Sequence, residues 1–466
     1  MQGTVEKIFI DESEIWGDLE NPNIDPFYIR ELLSKALALK GLTPKESASL
    51  LSVKDTDLLE EMYHTARSVK EKIYGNRIVL FAPLYITNEC DNNCLYCGFR
   101  RDNSELKRRT LTLGEIREEV TILLKEGHKR VLLVAGETKG ITLSYLREVI
   151  DAIYKMKIDG DNIRRVHVNI APLTIQEFKE LKEMDIGVYQ IFQETYSRET
   201  YQSMHLGGPK KDYEWRLYAM DRAYKAGLKD LGIGVLFGLH NFKFEVLALL
   251  YHSLHLEKEF QSGPHTVSVP RIEPALNAPI SLSQPAPVSD LDFKKILSVL
   301  RLAIPYTGII ITTREKKELR NELLRLGVSQ ISAGSRTYPG AYKEHIPFRE
   351  ESQQFSLNDT RSLEEVVMDL LNMDFLPSFC TACYRSGRRG EDFMTYSKGA
   401  NIHDFCSPNA LFTLKEYLKK HAGGNTKRLG EAFIQKEISN IKDDNVKNRI
   451  SSNLRKIESG KMDLYF

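Results

Sequence analysis

The chain has 466 residues, 42% hydrophobic and 28% charged, with a formal net charge of +1. That is enough for a large core and more than one domain. The near-neutral balance gives no reason to expect nucleic acid or an anionic membrane as a partner. No apolar run is long enough for a membrane span. The opening MQGTVEKIFIDESEIW has neither an apolar h-region nor a small-residue cleavage site, so no export is expected.

Residues 1–76 read as a helical extension. The stretch 25–39 is amphipathic, and Thr43, Pro44 and Glu46 supply a cap, a first-turn proline and a capping-box acid. Helical period continues over 55–74. The pattern then changes to apolar strand, turn and amphipathic helix, repeated eight times over 77–377. Strands are expected near 78–86, 130–135, 163–170, 186–192, 230–237, 265–271, 308–313 and 328–332. Helices should follow at 112–126, 143–157, 174–184, 213–226, 242–259, 289–303, 315–326 and 362–373. Thr112 with Glu115, Thr174 with Glu177 and Ser362 with Glu365 fit helix-start capping boxes. Such alternation predicts an α/β fold, most simply a closed (β/α)8 barrel of TIM type, with a doubly wound open sheet as the alternative. The period breaks after 377, and 378–466 should form a small helical domain with helices at 413–421 and 427–457.

Six cysteines fall into two triads. Cys90, Cys94 and Cys97 are spaced C-x3-C-x2-C, and Cys380, Cys383 and Cys406 are spaced C-x2-C-x22-C. Disulfides are one alternative, but nothing else looks secreted. Zinc is another, but it usually takes four protein ligands, and neither triad has an evident fourth cysteine. Three thiolates can hold three irons of a cubane and leave the fourth open to a small molecule. Two [4Fe-4S] clusters are therefore expected, in a reducing, anaerobic cytoplasm. The first triad follows the first strand, on the barrel face where chemistry is done. Tyr96, just before Cys97, is an aromatic suited to shield a cluster there.

A C-x3-C-x2-C loop with an aromatic before its last cysteine, after strand one of a βα barrel, resembles radical S-adenosylmethionine (SAM) enzymes. The resemblance implies that the open iron chelates SAM, whose reductive cleavage gives methionine and a 5′-deoxyadenosyl radical in a dry, shielded site. Gly136-Glu137 resembles the family's Gly-Glu motif at the SAM amino group. Asn169, Glu194 and Arg216 look like contacts to its ribose, amine and carboxylate, and Gly232-Ile233-Gly234 resembles the stretch packed against adenine. The bland alternatives are a turn, solvated charges and a close backbone approach. Arg271 ends strand six, Arg314 ends strand seven, and Ser332, Ser335 and Arg336 follow strand eight. An amino-acid carboxylate wants a forked guanidinium and hydroxyl donors. Arg314 with Ser332 is the preferred pair and Arg271 a further candidate, against a structural salt bridge and a turn.

With the second triad, in CTACYRSGRRGEDFMTYSKGANIHDFC, the resemblance extends over essentially the whole chain to the HydG family, the tyrosine lyases that mature [FeFe]-hydrogenase. The thiamine-pathway tyrosine lyase shares the barrel and first triad but lacks this C-terminal triad. The family's activity implies cleavage of the Cα–Cβ bond of L-tyrosine to p-cresol and dehydroglycine. The latter is converted at the auxiliary cluster to carbon monoxide and cyanide for an iron carbonyl cyanide synthon. It further implies SAM, a reducing electron donor and other hydrogenase maturation proteins as partners. A lyase or mutase acting on another amino acid, or an iron–sulfur scaffold or electron carrier, are the alternatives.

His265 opens strand six, and Arg271 at its other end is roughly 20 Å away by strand rise. His265 is thus expected at the mouth opposite the SAM cluster, which the C-terminal domain would plug. It is a candidate ligand, through a neutral imidazole nitrogen, for an extra labile iron beside the auxiliary cluster; the alternative is a histidine that bonds only backbone. Two sites at opposite ends need a passage through a barrel that side chains normally fill, and Ser268, Gln330 and Ser332 are its candidate lining.

Overall fold

A computed structural model of the protein describes residues 8–346, 348–399 and 402–466. Four helices come first, Glu12–Glu20, Pro26–Leu37, Pro44–Ser52 and Thr56–Tyr74. The third starts as its sequence dictates: Glu46 N–H donates to Thr43 Oγ1 at 3.2 Å, and Thr43 N–H donates to the Glu46 carboxylate at 2.8 Å. The capping boxes at Thr112, Thr174 and Ser362 are formed in the same way.

Eight parallel strands follow: β1 Arg77–Thr87, β2 Arg130–Ala135, β3 Arg165–Asn169, β4 Tyr189–Gln190, β5 Leu231–Gly234, β6 Thr266–Ser268, β7 Gly308–Ile311 and β8 Gln330–Ser332. Each pairs with the next, and β1 pairs with both β2 and β8, so the sheet closes into a barrel and not the open alternative. Strand alternation divides the residues of β1 between two environments. Ile78, Leu80, Ala82, Leu84 and Ile86 join the core under the surrounding helices, while Phe81, Pro83 and Tyr85 line the barrel interior. The N-terminal and C-terminal helices bury side chains in that same core.

Three elements differ from the sequence reading. The helix expected at 213–226 breaks at Tyr218 into Tyr213–Leu217 and Ala219–Lys225. The helix expected from 413 runs over His403–Lys420 with Pro408 inside it. Proline normally reads as a stop, but burial of Cys406 and of the run 408–414 offsets the bond that Pro408 forgoes. The stretch 427–457 is two helices, Gly424–Ser439 and Asp444–Glu458, the second capped by Asp443.

A ninth strand, β9 Leu376–Ser378, lies parallel to the start of β1, with Arg77 opposite Leu376 and Val79 opposite Ser378. β2 joins β1 only from Ala82 onward, which leaves that stretch of edge free. Pro377 is tolerated because β9 is an edge strand. This strand delivers Cys380 to the N-terminal mouth of the barrel. No helix among the described residues is long and apolar enough to cross a membrane.

Candidate active site and cluster sites

A cavity of about 170 Å³ opens at the C-terminal mouth, and Cys90, Cys94 and Cys97 all line it. None of the six cysteines is in a disulfide. Gln354 Nε2 approaches Cys97 Sγ at 3.7 Å, while its Oε1 accepts from Tyr85 Oη–H at 2.8 Å. Burial, then the charges of Glu137 and Cys97, pushes the Cys90 thiol up to about 11; burial also raises Cys94 and Cys97. The free triad thus keeps its protons until a cationic group replaces them, as cluster loading does. Three thiols lining one cavity, with an amide donor at one sulfur, supply the donor chemistry of a cubane with one open iron. Tyr96 also lines the cavity and is held from behind. Its Oη–H bonds His205 Nε2 at 2.7 Å, because His205 Nδ1 already meets Tyr201 O at 2.7 Å.

Beside the thiols is a buried ion network. Arg216 Nη1 meets Glu137 Oε1 at 2.5 Å and Lys210 Nζ meets Glu194 Oε1 at 2.5 Å; Arg216 Nη2 lies 3.9 Å from Glu194. Asn92 ties the two halves together, donating to Glu137 at 2.7 Å and accepting from Lys210 N–H at 2.8 Å. Burial pushes Glu137 up, but Arg216 and Lys210 outweigh it and hold the carboxyl below the usual carboxylate range. Gly136 is required here, since a Cβ would fall 2.1 Å from Glu89 O. Asn169 lines the cavity at the end of β3.

Glu194 adopts φ 72°, a left-handed conformation rare outside glycine and frequent at functional sites. Glu245 clamps the following residues, taking the Thr195 hydroxyl and, at 2.9 Å, the Tyr196 N–H. Burial, against those two bonds, pushes the Glu245 carboxyl up to about 8, so it is neutral at pH 7. Glu245→Gln should therefore stay within about 1 kcal/mol of the parent in urea denaturation, while Glu245→Leu, which strands both partners, should lose about 1–3 kcal/mol. Equal losses in the two variants would refute the neutral clamp.

Two expected contacts are not at the cavity. Ile233 points outward into the main core, and Gly232 and Gly234 face inward, where a Cβ would fall 2.5 Å from Thr266 Oγ1 and 2.5 Å from Phe192. Both glycines therefore stand at close backbone approaches, and Leu236 is one apolar wall of the cavity. Arg271 is held in a structural ion pair: its guanidinium grips Glu315, with Nε at 3.0 Å, and Nη1 meets Asp290 at 2.8 Å. Arg314, by contrast, lines the cavity with Ser332 and Ser335. Its guanidinium lies 3.3 Å from the Phe355 ring centroid and donates to Arg271 O at 3.3 Å, and no carboxylate pairs with it among the described residues. Ser332 Oγ accepts from Thr313 N–H at 3.3 Å.

At the opposite mouth, Cys380, Cys383, Cys406 and His265 line a second cavity of about 50 Å³ with Arg77 and Arg130. Ala382 N–H donates to Cys380 Sγ at 3.3 Å, and Arg130 Nη2 donates to Cys380 O at 2.6 Å. The Cys383 thiol, aided by the Arg77, Arg388 and Arg130 charges, lowers Cys406 toward the thiolate. His265 Nδ1 lies 3.3 Å from Asp230 Oδ1. Nδ1 makes no hydrogen bond among the described residues, so the carboxylate stands beside the ring without fixing it. The donor set fits a second three-thiolate cluster. A third cavity of about 20 Å³ lies between, sharing Gln190 and Ile310 with the first and Arg130, Gln330 and Tyr384 with the second. Of the expected passage lining, Ser268 and Ser332 face the first cavity and Gln330 the other two.

Sequence reasoning missed Lys210, Gln354 and Asn92. Nothing in GGPKKD separates Lys210, buried in the network, from exposed Lys211; only the three-dimensional partner does.

Residues 84–251 match the Radical SAM superfamily, and residues 268–376 match the Biotin and Thiamin Synthesis associated domain. The 2-iminoacetate synthase of Escherichia coli (strain K12) is 30% identical over 348 residues, 74% of this chain and 89% of that protein. The crystal structure of HydG, a maturase of the [FeFe]-hydrogenase, superposes with a TM-score of 0.95 at 48% identity, covering 98% of this chain and 100% of that one. The HydG maturase structure from Carboxydothermus hydrogenoformans gives a TM-score of 0.83 at 43% identity, over 95% and 97% of the two chains. With both thiol triads in place and coverage nearly complete on both sides, this chain belongs to the HydG family of radical SAM enzymes.

Proposed function

We propose that this radical SAM lyase cleaves the Cα–Cβ bond of L-tyrosine, releasing p-cresol and leaving dehydroglycine. The remainder passes through the barrel to the second triad and yields carbon monoxide and cyanide for the iron carbonyl cyanide synthon of [FeFe]-hydrogenase. The observation that carries this reading is the pair of thiol-lined cavities at opposite ends of one barrel, with a third cavity between them.

In this reading Cys90, Cys94 and Cys97 hold one [4Fe-4S] cluster, and Cys380, Cys383 and Cys406 the other. The first cluster with SAM supplies one-electron radical chemistry that no side chain offers. The protein binds, orients and excludes water. Glu137, kept ionised, suits the SAM ammonium, and Arg216 and Lys210 suit its carboxylate. Glu194 keeps both cations in place, Asn169 takes the ribose, and Leu236 is the wall for the base. Tyr96, fixed by His205, covers the cluster loop. Arg314 offers the amino-acid carboxylate a half-buried guanidinium that makes no ion pair among the described residues, with Ser332 and Ser335 as hydroxyl partners. At the second triad, the 378–466 segment closes the barrel, and His265 offers a ring nitrogen to an extra labile iron. A reducing cytoplasm, a low-potential electron donor and the other hydrogenase maturation proteins complete the setting.

Anaerobically reconstituted protein given dithionite, SAM and L-tyrosine should release deoxyadenosine and p-cresol in step. Deoxyadenosine without p-cresol would keep the radical SAM chemistry and replace tyrosine with another amino acid.

A further inference from the structure

Three residues that line the small middle cavity each carry a buried polar atom with no hydrogen-bond partner among the described residues: Arg130 Nε, His167 Nε2 and Thr266 Oγ1. Their residues are 7%, 6% and 2% exposed. Buried polar groups are nearly always paired, so three unpaired ones in one cavity point to a ligand.

The tautomer of His167 is set by the backbone. Nδ1 accepts the Val188 N–H at 2.7 Å, so the one proton of the neutral ring sits on Nε2. Burial, then the Arg130 and Arg165 charges, keeps the ring neutral. Arg130 is anchored by its Nη2 on Cys380 O at 2.6 Å, and Gln190 by its Nε2 on Ser268 Oγ at 2.8 Å. No aspartate or glutamate lines the cavity among the described residues. An imidazole N–H, a hydroxyl and a guanidinium, with no competing acid, suit a carboxylate.

We propose that this constriction is a carboxylate-selective waypoint: Arg130, His167 and Thr266 take the carboxylate of the small fragment made at the first triad and pass it toward the second. The inference rests on the cleavage reading above and deepens it. The cavity of about 20 Å³ is narrow, and its donors draw the fragment in carboxylate first, its imine end still above. Neutral, broad p-cresol is excluded and leaves by the upper mouth. A fragment stalled above the waypoint is hydrolysed, dehydroglycine and water giving glyoxylate and ammonia.

Reconstituted wild type, Thr266→Val and His167→Phe are compared for p-cresol, glyoxylate and cyanide. Cyanide per p-cresol should fall about tenfold in each variant, the loss expected for one hydrogen bond to a charged group, with glyoxylate rising in its place. An unchanged ratio overturns the waypoint, including when p-cresol and cyanide fall together. Absence of p-cresol in the wild type removes the cleavage reading instead. The waypoint is then decided by anaerobic crystals of the wild-type holoenzyme soaked in glyoxylate. A carboxylate between His167 Nε2 and Thr266 Oγ1 supports it, and water alone there overturns it.

Discussion

Cys383→Ala should keep p-cresol within about twofold of wild type while cyanide and carbon monoxide fall at least about a hundredfold, since losing even an outer-shell partner of a metal site costs up to that much. The separation follows from geometry. Cys383 lines the cavity at the N-terminal mouth, and none of the described residues lines both that cavity and the one holding the first triad. The fold should tolerate the change. Cys383 sits in the short helix Ala382–Arg385, where alanine is a good helix former, and Arg385 stays fixed to Asp463 at 2.6 Å. The local cost falls on Cys406, which loses the thiol that lowers it. The readout is product analysis by chromatography and headspace gas, with iron content dropping to that of one cluster. Parallel loss of p-cresol would mean that the two triads serve one reaction, and the division of labour would have to be abandoned.

Local signals carried most of the architecture. Capping boxes at Thr112, Thr174 and Ser362 set helix starts because both partners lie within one turn. The C-x3-C-x2-C spacing marked the first thiol site because ligands close in sequence converge, whereas Cys406 reaches the second site across 22 residues, from the helix His403–Lys420. What failed depended on partners distant in sequence. β9 was hidden because Pro377 reads as a breaker, and only the free stretch of β1 edge gives it a place. The outward direction of Ile233 was not legible, because in a strand buried on both sides neither face is marked by polarity. Arg271 and Arg314 are chemically identical in sequence. Glu315 and Asp290 claim the first, and no carboxylate pairs with the second among the described residues. His167 drew no attention, since a histidine in an apolar strand usually packs; its orphaned Nε2 is visible only once Val188 is seen to occupy Nδ1.

Arg216→Met should have a second large effect, of a different kind. The arginine donates to Glu137 at 2.5 Å and to Phe192 O at 2.6 Å, and its Nη2 lies 3.9 Å from Glu194. Its removal leaves two buried carboxylates facing Lys210 alone. Breaking one side of a buried ion pair costs about 3–5 kcal/mol, which denaturant melts of the cluster-free protein would read directly. The pH dependence has a definite sign. In the parent, the folded state holds Glu137 below its ordinary value, a contribution present above the unfolded pKa and lost as the pH falls through the folded one. The gap between parent and variant should therefore be full at pH 7 and shrink on acidification below the ordinary carboxylate range. Adding Glu137→Gln should return much of the stability, because the stranded charge goes with it. It should not return SAM binding, which needs both groups and should weaken at least about tenfold in calorimetry of the reconstituted protein. A double variant that regained SAM affinity along with stability would show that the Arg216–Glu137 pair only holds the loops together, and SAM would have to be bound by other residues of the cavity.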